Sequence, residues 1–328
     1  MKKTSSLLWL AGALTGLAAL SLLVGRYPTA PITLPWRLFS DNMGLLLVRN
    51  IRAPRILAAI LLGAALGTSG NCFQMLFGNP LADPGILGVS QGAAFGASLG
   101  IILGGGGSAV IQLFAAGFAF LGLLSSSAVA KRSRFGGWVL RLVLAGIAVS
   151  ALFSSGVGAL KILADPVRQL PEITFWLLGG LSAATWQQTL AVAPVIVISL
   201  TIMLAMRWRL NVLSLEDATA FSLGTAPARE RGLLLAAAVA AVASAVSISG
   251  IVGWVGLIVP QVARRLYGGD ARRSLPASAL LGAIFALVCD DIARSALPGE
   301  IPLGIITSFA GAVTFIALMN LRSARLER

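Results

Sequence analysis

Ten apolar runs follow one another along this chain and leave little room between them. They lie at about 7–24, 56–77, 86–104, 109–130, 138–160, 187–206, 232–250, 251–267, 275–289 and 302–320. A helix of about 20 such residues crosses a hydrocarbon core of about 30 Å. Most of the runs lack the strict alternation of barrel strands, so they read as helices. The run 251–267 is the odd one, rich in glycine and interrupted by Pro260. Composition agrees: 57% of the residues are hydrophobic and 11% are charged. A soluble domain carries about 25% charged residues. The expected fold is an all-α integral membrane protein, a single polytopic domain over 1–328. The first run follows Lys2 and Lys3, as a signal peptide would. Its length and the spans behind it favour an uncleaved first helix.

The formal net charge is +13, from 25 Lys and Arg against 12 Asp and Glu. In a soluble protein that excess points to nucleic acid; in a membrane protein it orients the chain. With the N-terminus in the cytoplasm and ten crossings, 17 basic residues fall inside and eight outside. The eight are Arg26, Arg37, Arg49, Arg52, Arg55, Lys161, Arg168 and Arg294. Both termini are then cytoplasmic. Nine crossings would leave the basic C-terminus outside, so 251–267 is expected to cross. No basic, aromatic-rich platform is left over, and no nucleic-acid partner is expected.

Several chemistries are excluded. The chain has no histidine, hence no histidine base, proton relay or metal ligand. Cys72 and Cys289 stand far apart inside apolar runs and read as packing residues. A P-loop needs Gly-Lys-Ser/Thr, and no Gly-Lys pair occurs. The chain alone therefore cannot hydrolyse ATP by that route. The nucleophile-elbow and zinc motifs of a membrane enzyme are absent too. An ion-coupled secondary transporter would need acids near the bilayer midplane. The only acids within a run's reach are Asp290 and Asp291, near its outer end.

Local patterns mark candidate working parts. The segment 207–231 is too polar to span. Within it, Ser214-Leu215-Glu216-Asp217 resembles a capped helix start, and Gly224 a turn behind it. Residues 171–183 suggest a short helix at the outer surface. Gly78 to Gly85 holds Asn79, Pro80, Asp83 and Pro84, and its prolines forbid a continuous helix. It is either a rigid connection or a cytoplasmic contact or gate element. Span five carries a weakly polar stripe, Ser150, Ser154, Gly158 and Lys161; span ten carries Thr307, Gly311 and Thr314; span three adds Ser90 and Gln91. Such small residues serve close helix packing as readily as the lining of a pathway. Arg52, Arg55 and Arg294 sit at the outer mouth against the charge rule. They either pair locally, Arg294 with Asp290 and Asp291 at helical spacing, or form a socket for acids of a partner. Four spans in 56–160 starting from outside, and four in 232–320 starting from inside, suggest an inverted repeat; Ser69-Gly70 and Ser249-Gly250 are a weak sequence match between them.

Separated motifs then occur in order: Arg52-Ala53-Pro54-Arg55, the Gly78–Gly88 stretch running into GVSQGAAFGA (88–97), LAGIAVSALFS (144–154), FWLLGGLS (175–182), GLIVP (256–260), LPASALLGA (275–283) and EIPLGIITSFAG (300–311). In these the chain resembles, over most of its length, the permease subunits of type II ABC importers for iron–siderophores, haem and vitamin B12. The resemblance implies ten helices per subunit and a second permease subunit, most simply a homodimer. It implies two cytoplasmic ATP-binding subunits that carry ATP and Mg, with no cofactor on this chain, and an external substrate-binding protein. The setting is the bacterial or archaeal cytoplasmic membrane.

The same resemblance implies roles. Arg52, Arg55 and Arg294 match positions that dock the binding protein. Residues 211–226, with Leu213, Ser214, Leu215, Glu216, Asp217, Leu223 and Gly224, match the coupling helices that meet the ATPase. The alternative for that segment is a helix resting on lipid headgroups; Glu216 and Asp217 make anionic lipid a poor partner. The stripes on spans five and ten match the walls of a pathway at the dimer interface. Two positions depart from the family. Gln261 stands where histidine is common, and Ala312-Val313 follow Gly311 where proline is common. The expected cargo is a bulky iron chelate, with haem or a corrinoid as variants. Leu170 to Trp176 also resembles relatives that handle oxyanions such as molybdate.

Overall fold

A computed structural model describes the backbone of residues 2–25, 42–104 and 107–326. Among the described residues it contains fourteen α-helices and no β-strand. They are α1 (Lys2–Ser21), α2 (Asn42–Leu47), α3 (Ala53–Leu76), α4 (Val89–Leu103), α5 (Ser108–Arg132), α6 (Trp138–Leu163), α7 (Gln169–Leu178), α8 (Trp186–Ala205), α9 (Arg207–Leu213), α10 (Asp217–Ser222), α11 (Pro227–Ser249), α12 (Val255–Tyr267), α13 (Ala271–Ser295) and α14 (Leu303–Leu326). A π-helical turn, Val48–Arg52, joins α2 to α3. Each predicted run holds one helix, so the all-α membrane fold stands. The two ends of the bundle are called outer and inner after the charge-derived topology. Arg26 and Arg37 lie outside the described residues.

Among the described residues, seven helices are long and apolar enough to cross a membrane by length and composition. The shorter members carry the differences from the sequence reading. Run 86–104 was expected to be helical from its start. Instead Pro84–Leu87 forms a 3-10 turn, opened by Asp83, whose Oδ1 accepts from the Gly85 amide at 2.8 Å. Gly88 closes it at φ 80°, and α4 begins only then. Run 251–267 is helical only from Val255. Its 13 residues rise about 20 Å, too little to cross alone. Residues 250–254 supply the rest without helical structure. Non-helical backbone is tolerated at membrane depth only where protein covers it. Here it is covered: the Gly180 amide donates to the Ser249 carbonyl at 2.7 Å. A Cβ on Gly250 would lie 2.1 Å from the Trp176 carbonyl oxygen.

The core is built on α3 and α11, whose apolar windows are 89% and 67% buried. Small residues let α3 approach its neighbours backbone to backbone, as membrane helices require where no hydrophobic force drives them together. A Cβ on Gly63 would sit 2.0 Å from the Gly282 carbonyl oxygen of α13. One on Gly70 would sit 1.9 Å from that of Gly256 on α12.

The expected repeat is present in helix lengths. Helices α3 to α6 have 24, 15, 25 and 26 residues. Helices α11 to α14 have 23, 13, 25 and 24. The first helix of each set packs on the second and third of the other: α3 on α12 and α13, α11 on α4 and α5. The Ser-Gly match is not a structural one. Ser69-Gly70 lies within continuous α3, whereas Ser249 ends α11 and Gly250 leaves it at φ 65°.

Candidate functional sites at the two ends of the bundle

At the outer end the three arginines turn inward. Arg52, Arg55 and Arg294 are each less than a tenth exposed. Arg55 Nε donates to both Asp290 oxygens at 3.0 Å, and its Nη1 to Glu300 at 2.8 and 2.9 Å. Arg52 Nη1 donates to the Leu22 carbonyl at 2.7 Å. Arg294 Nη2 donates to the Ser21 carbonyl and hydroxyl, both at 2.6 Å, and also pairs with Asp291. Arg52 and Arg294 thus close the C-terminal end of α1, where helix carbonyls lack partners. The local-pairing alternative describes this geometry. An open socket does not, because the buried guanidinium groups of Arg55 and Arg294 must keep their acids. Glu300 was missed as a site residue. It is the one acid opening the EIPLGIITSFAG motif on the outer side, and its side chain is 47% exposed. Above Arg55 lies a cavity of about 610 Å³ whose walls include Glu172, Trp176, Gln188, Ser249 and Glu300.

At the inner end the segment 207–226 forms two helices, α9 and α10. Ser214 does not open α10. It closes α9, donating from its hydroxyl to the Asn211 carbonyl at 2.7 Å. The N-cap of α10 is Glu216, which makes no side-chain cap bond. Gly224 makes the expected turn at φ 81°. Leu213 is fully buried and so is removed as a contact for a partner. Leu215 and Leu223 are 46% and 54% exposed, and Phe221, which the sequence reading passed over, is 73% exposed. Glu216 and Asp217 are exposed beside them. The predicted outer helix 171–183 is shorter: α7 ends at Leu178, where Gly179 turns at φ 69°.

The inner loop 78–88 is locked onto α12. Asn79 Oδ1 accepts from the Leu81 amide at 2.9 Å, and Gln261 Nε2 donates to the Pro80 carbonyl at 3.3 Å. A Cβ on Gly256 would lie 2.9 Å from Asp83 Oδ2. Burial pushes the Asp83 carboxyl up, opposed by the Gly85 amide. Pro84 is buried. Beneath the loop, Arg264 donates from Nη1 to Asn71 at 3.1 Å and also to Gln74, while Asn71 donates to Ser278 at 2.9 Å. This network ties α3, α12 and α13 together.

The proposed wall divides. Ser150 and Lys161 on α6 are half-buried, and Ser154 and Gly158 are exposed on the free face of the chain. On α14 the stripe faces the other way. Thr307 is fully buried, and Gly311 lies under Trp254, whose Cβ would be 2.5 Å from a Cβ added there. Both are corrected to packing residues; the free face of α14 carries Ile305, Phe309 and Val313. Thr314 is half-buried and donates to the Ala310 carbonyl at 2.7 Å. Ser90 and Gln91 are half-buried in the first turn of α4, near the inner loop. Among the described residues no group of three or more His, Cys, Asp and Glu is placed to hold a metal.

Comparison with known proteins places this arrangement. The chain is 38% identical to an iron chelatin transport system permease of Helicobacter pylori over 274 residues, 84% of this chain and 82% of that one. It is 37% identical over 315 residues to the molybdate import system permease MolB of Haemophilus influenzae, covering 92% of this chain and 91% of that one. A solved inward-facing conformation of a metal-chelate type ABC transporter matches it with a TM-score of 0.89 and 35% identity, over 97% of this chain and 99% of the other. The family model for the FecCD transport family matches residues 13–320, and the chain belongs to that family of membrane permeases.

Proposed function

We propose that this permease works as a homodimer in a bacterial or archaeal cytoplasmic membrane, both termini inside, and imports a bulky iron chelate by alternating access. ATP and Mg are bound and used on two separate ATPase chains, which dock on the α9–α10 turn. The observation that carries this is the apolar ridge of Leu215, Phe221 and Leu223, which no helix among the described residues covers at this polar end. An apolar ridge flanked by Glu216 and Asp217 suits a protein groove better than an anionic headgroup layer. The exposed faces of α6 and α14 suit a second copy around the pathway.

An external binding protein delivers the cargo at the outer end. Its acids reach Arg55 only by displacing the half-exposed Glu300. In the test, Leu215→Glu and Phe221→Glu lose the copurified ATPase and lose uptake, while membrane insertion stays intact. Retained ATPase and normal uptake would reject the reading. Uptake that stops on ATP depletion and survives a protonophore separates this from an ion-coupled carrier.

A second cargo has its own support, the similarity to MolB over 92% of the chain. Competition between radiolabelled ferric chelate and molybdate in the same proteoliposomes decides between them.

A further inference from the structure

Four elements meet at one side chain at the inner end. Arg231 lies in the first turns of α11 and is 7% exposed. Its Nη2 donates to the Leu213 carbonyl at 2.8 Å and the Leu215 carbonyl at 3.3 Å, and its Nε to Leu213 at 3.3 Å. Its Nη1 pairs with Asp217, the first residue of α10. Its guanidinium stands over the Trp138 ring of α6, 4.9 Å from the centroid. Trp138 in turn meets Phe77 edge to face at 5.6 Å, and Phe77 meets Phe73 of α3 at 5.3 Å.

A planar guanidinium can fork between carbonyls, pair with a carboxylate and stack on an indole at once; an ammonium cannot. Arg231 does all three. It closes the C-terminal end of α9, holds the start of α10 and sits on the first residue of α6. The charge count treated it only as an inside marker.

We propose that Arg231 is the positioning residue that transmits movement of the α9–α10 turn to α6. Displacement of α10 pulls on the Arg231–Asp217 pair and on the Leu213 and Leu215 carbonyls. The guanidinium passes that displacement to Trp138, and so to the helix whose outer half carries Ser154 and Gly158 on its free face. A chain of packed groups of this kind carries coupling only if its two ends respond together, which is the property to measure. The inference rests on the reading of the α9–α10 turn as the ATPase contact.

The test uses Arg231→Ala and Trp138→Leu in the full permease with its copurified ATPase. Trp138→Leu leaves every bond between Arg231 and the turn in place, so it tests the link apart from the shape of the docking surface. The expected result is retained ATPase in both variants with uptake per ATP lowered five-fold or more. Arg231→Lys falls between them and the wild type. Wild-type uptake per ATP in Trp138→Leu overturns the inference. So does loss of the ATPase in Arg231→Ala with unchanged coupling in Trp138→Leu, which makes Arg231 only a shaper of the surface. Failure of the wild type to hold any ATPase rejects the functional reading instead. The link is then decided on the permease alone, with spin labels at Phe221→Cys and Leu152→Cys. A broadened distance distribution in both variants supports the joint; an unchanged one overturns it.

Discussion

The two four-helix halves share one plan of lengths and differ in how they make their second helix. In α3–α6 the chain turns into α4 through Gly88, at φ 80°. In α11–α14 the matching place, the N-cap of α12, is Trp254 at φ 71°. It is the only non-glycine residue with positive φ among those described. A bulky residue there is strained by about 1–2 kcal/mol, so its surroundings must hold it. They do: Gly311 makes room for its Cβ, and its ring meets Phe315 edge to face at 6.4 Å. The halves also differ at their fourth helix. The apolar window of α6 is 28% buried and that of α14 is 17% buried. The N-terminal half is a compact set of glycine-packed helices. The C-terminal half leaves more of its last helix exposed and packs one strained tryptophan against it.

The largest expected effect lies where the halves interlock. Gly63→Leu drives a side chain into the Gly282 backbone, which cannot rotate away. Overpacking costs about 1–3 kcal/mol where side chains can adjust; here two helix backbones must part, so the loss exceeds that of the other changes. Loss of monodisperse protein on size exclusion in detergent is expected. Gly96→Leu, against the Phe114 carbonyl at 2.2 Å within the N-terminal half, is expected to be nearly as severe. A tolerated Gly63→Leu would break the picture of α3 as the shared axis.

Next comes the buried pair that joins the first helix of one half to the third of the other. Arg55 and Asp290 have side chains 6% and 0% exposed. Asp290→Leu leaves Arg55 without its buried acid, and breaking such a pair costs about 3–5 kcal/mol. The double variant Arg55→Met with Asp290→Leu is expected to regain most of that in thermal unfolding, since two apolar groups need no partner. A double variant as unstable as the single one would mean that Glu300 and Arg294 hold the site together without the pair.

The strained turn gives a smaller effect. Gly311→Ala forces Trp254 to move, at about 1–3 kcal/mol, while Trp254→Gly in the same chain restores the room. A melting temperature lowered by the first change and partly recovered by the second would sharpen the contrast between the halves. Gly311→Ala with unchanged melting but reduced uptake would return Gly311 to the pathway wall.

Helix number and order were legible because each apolar run is bounded by polar or glycine-rich connections. Orientation of side chains around a helix was not. Thr307, Gly311 and Thr314 share a spacing, but in α14 nearly every residue is apolar or small, so spacing cannot say which face is covered. The arginines misled for a related reason. Their outer position and the neighbouring acids of Arg294 were readable, whereas the acids of Arg55 lie 235 and 245 positions away, in Asp290 and Glu300. Leu213 is buried and Phe221 exposed because α9 ends between them, and a serine can close a helix, as Ser214 does, as readily as open one. The extended stretch 250–254 was marked by its glycines. What covers it, the Gly179–Gly180 turn, is separated from it by four helices in sequence.

The smallest effect tests the third helix of each half. α5 starts at Gly107 with no side-chain cap, whereas α13 starts at Asp270, whose carboxylate accepts from the Arg272 amide at 2.9 Å and from Asn211 at 2.7 Å. The Arg272 amide, the Asn211 side chain and the neighbouring charges of Arg272 and Arg273 hold that carboxyl below its usual range, against a smaller opposing effect of burial. A carboxyl depressed in the folded state contributes stability above its ordinary value of about 3.9. That contribution is lost as pH falls through the lower folded value. Asp270→Ala is therefore expected to cost about 0.5–2 kcal/mol at neutral pH, the range for a lost N-cap. The difference between wild type and variant in melting temperature should shrink toward pH 3. Asp270→Asn keeps an acceptor for the Arg272 amide and removes only the charge, so it should lose less at neutral pH and show a flatter profile. A gap independent of pH would mean that the Asn211 link between α9 and α13, rather than the charge at the helix start, is what this half adds.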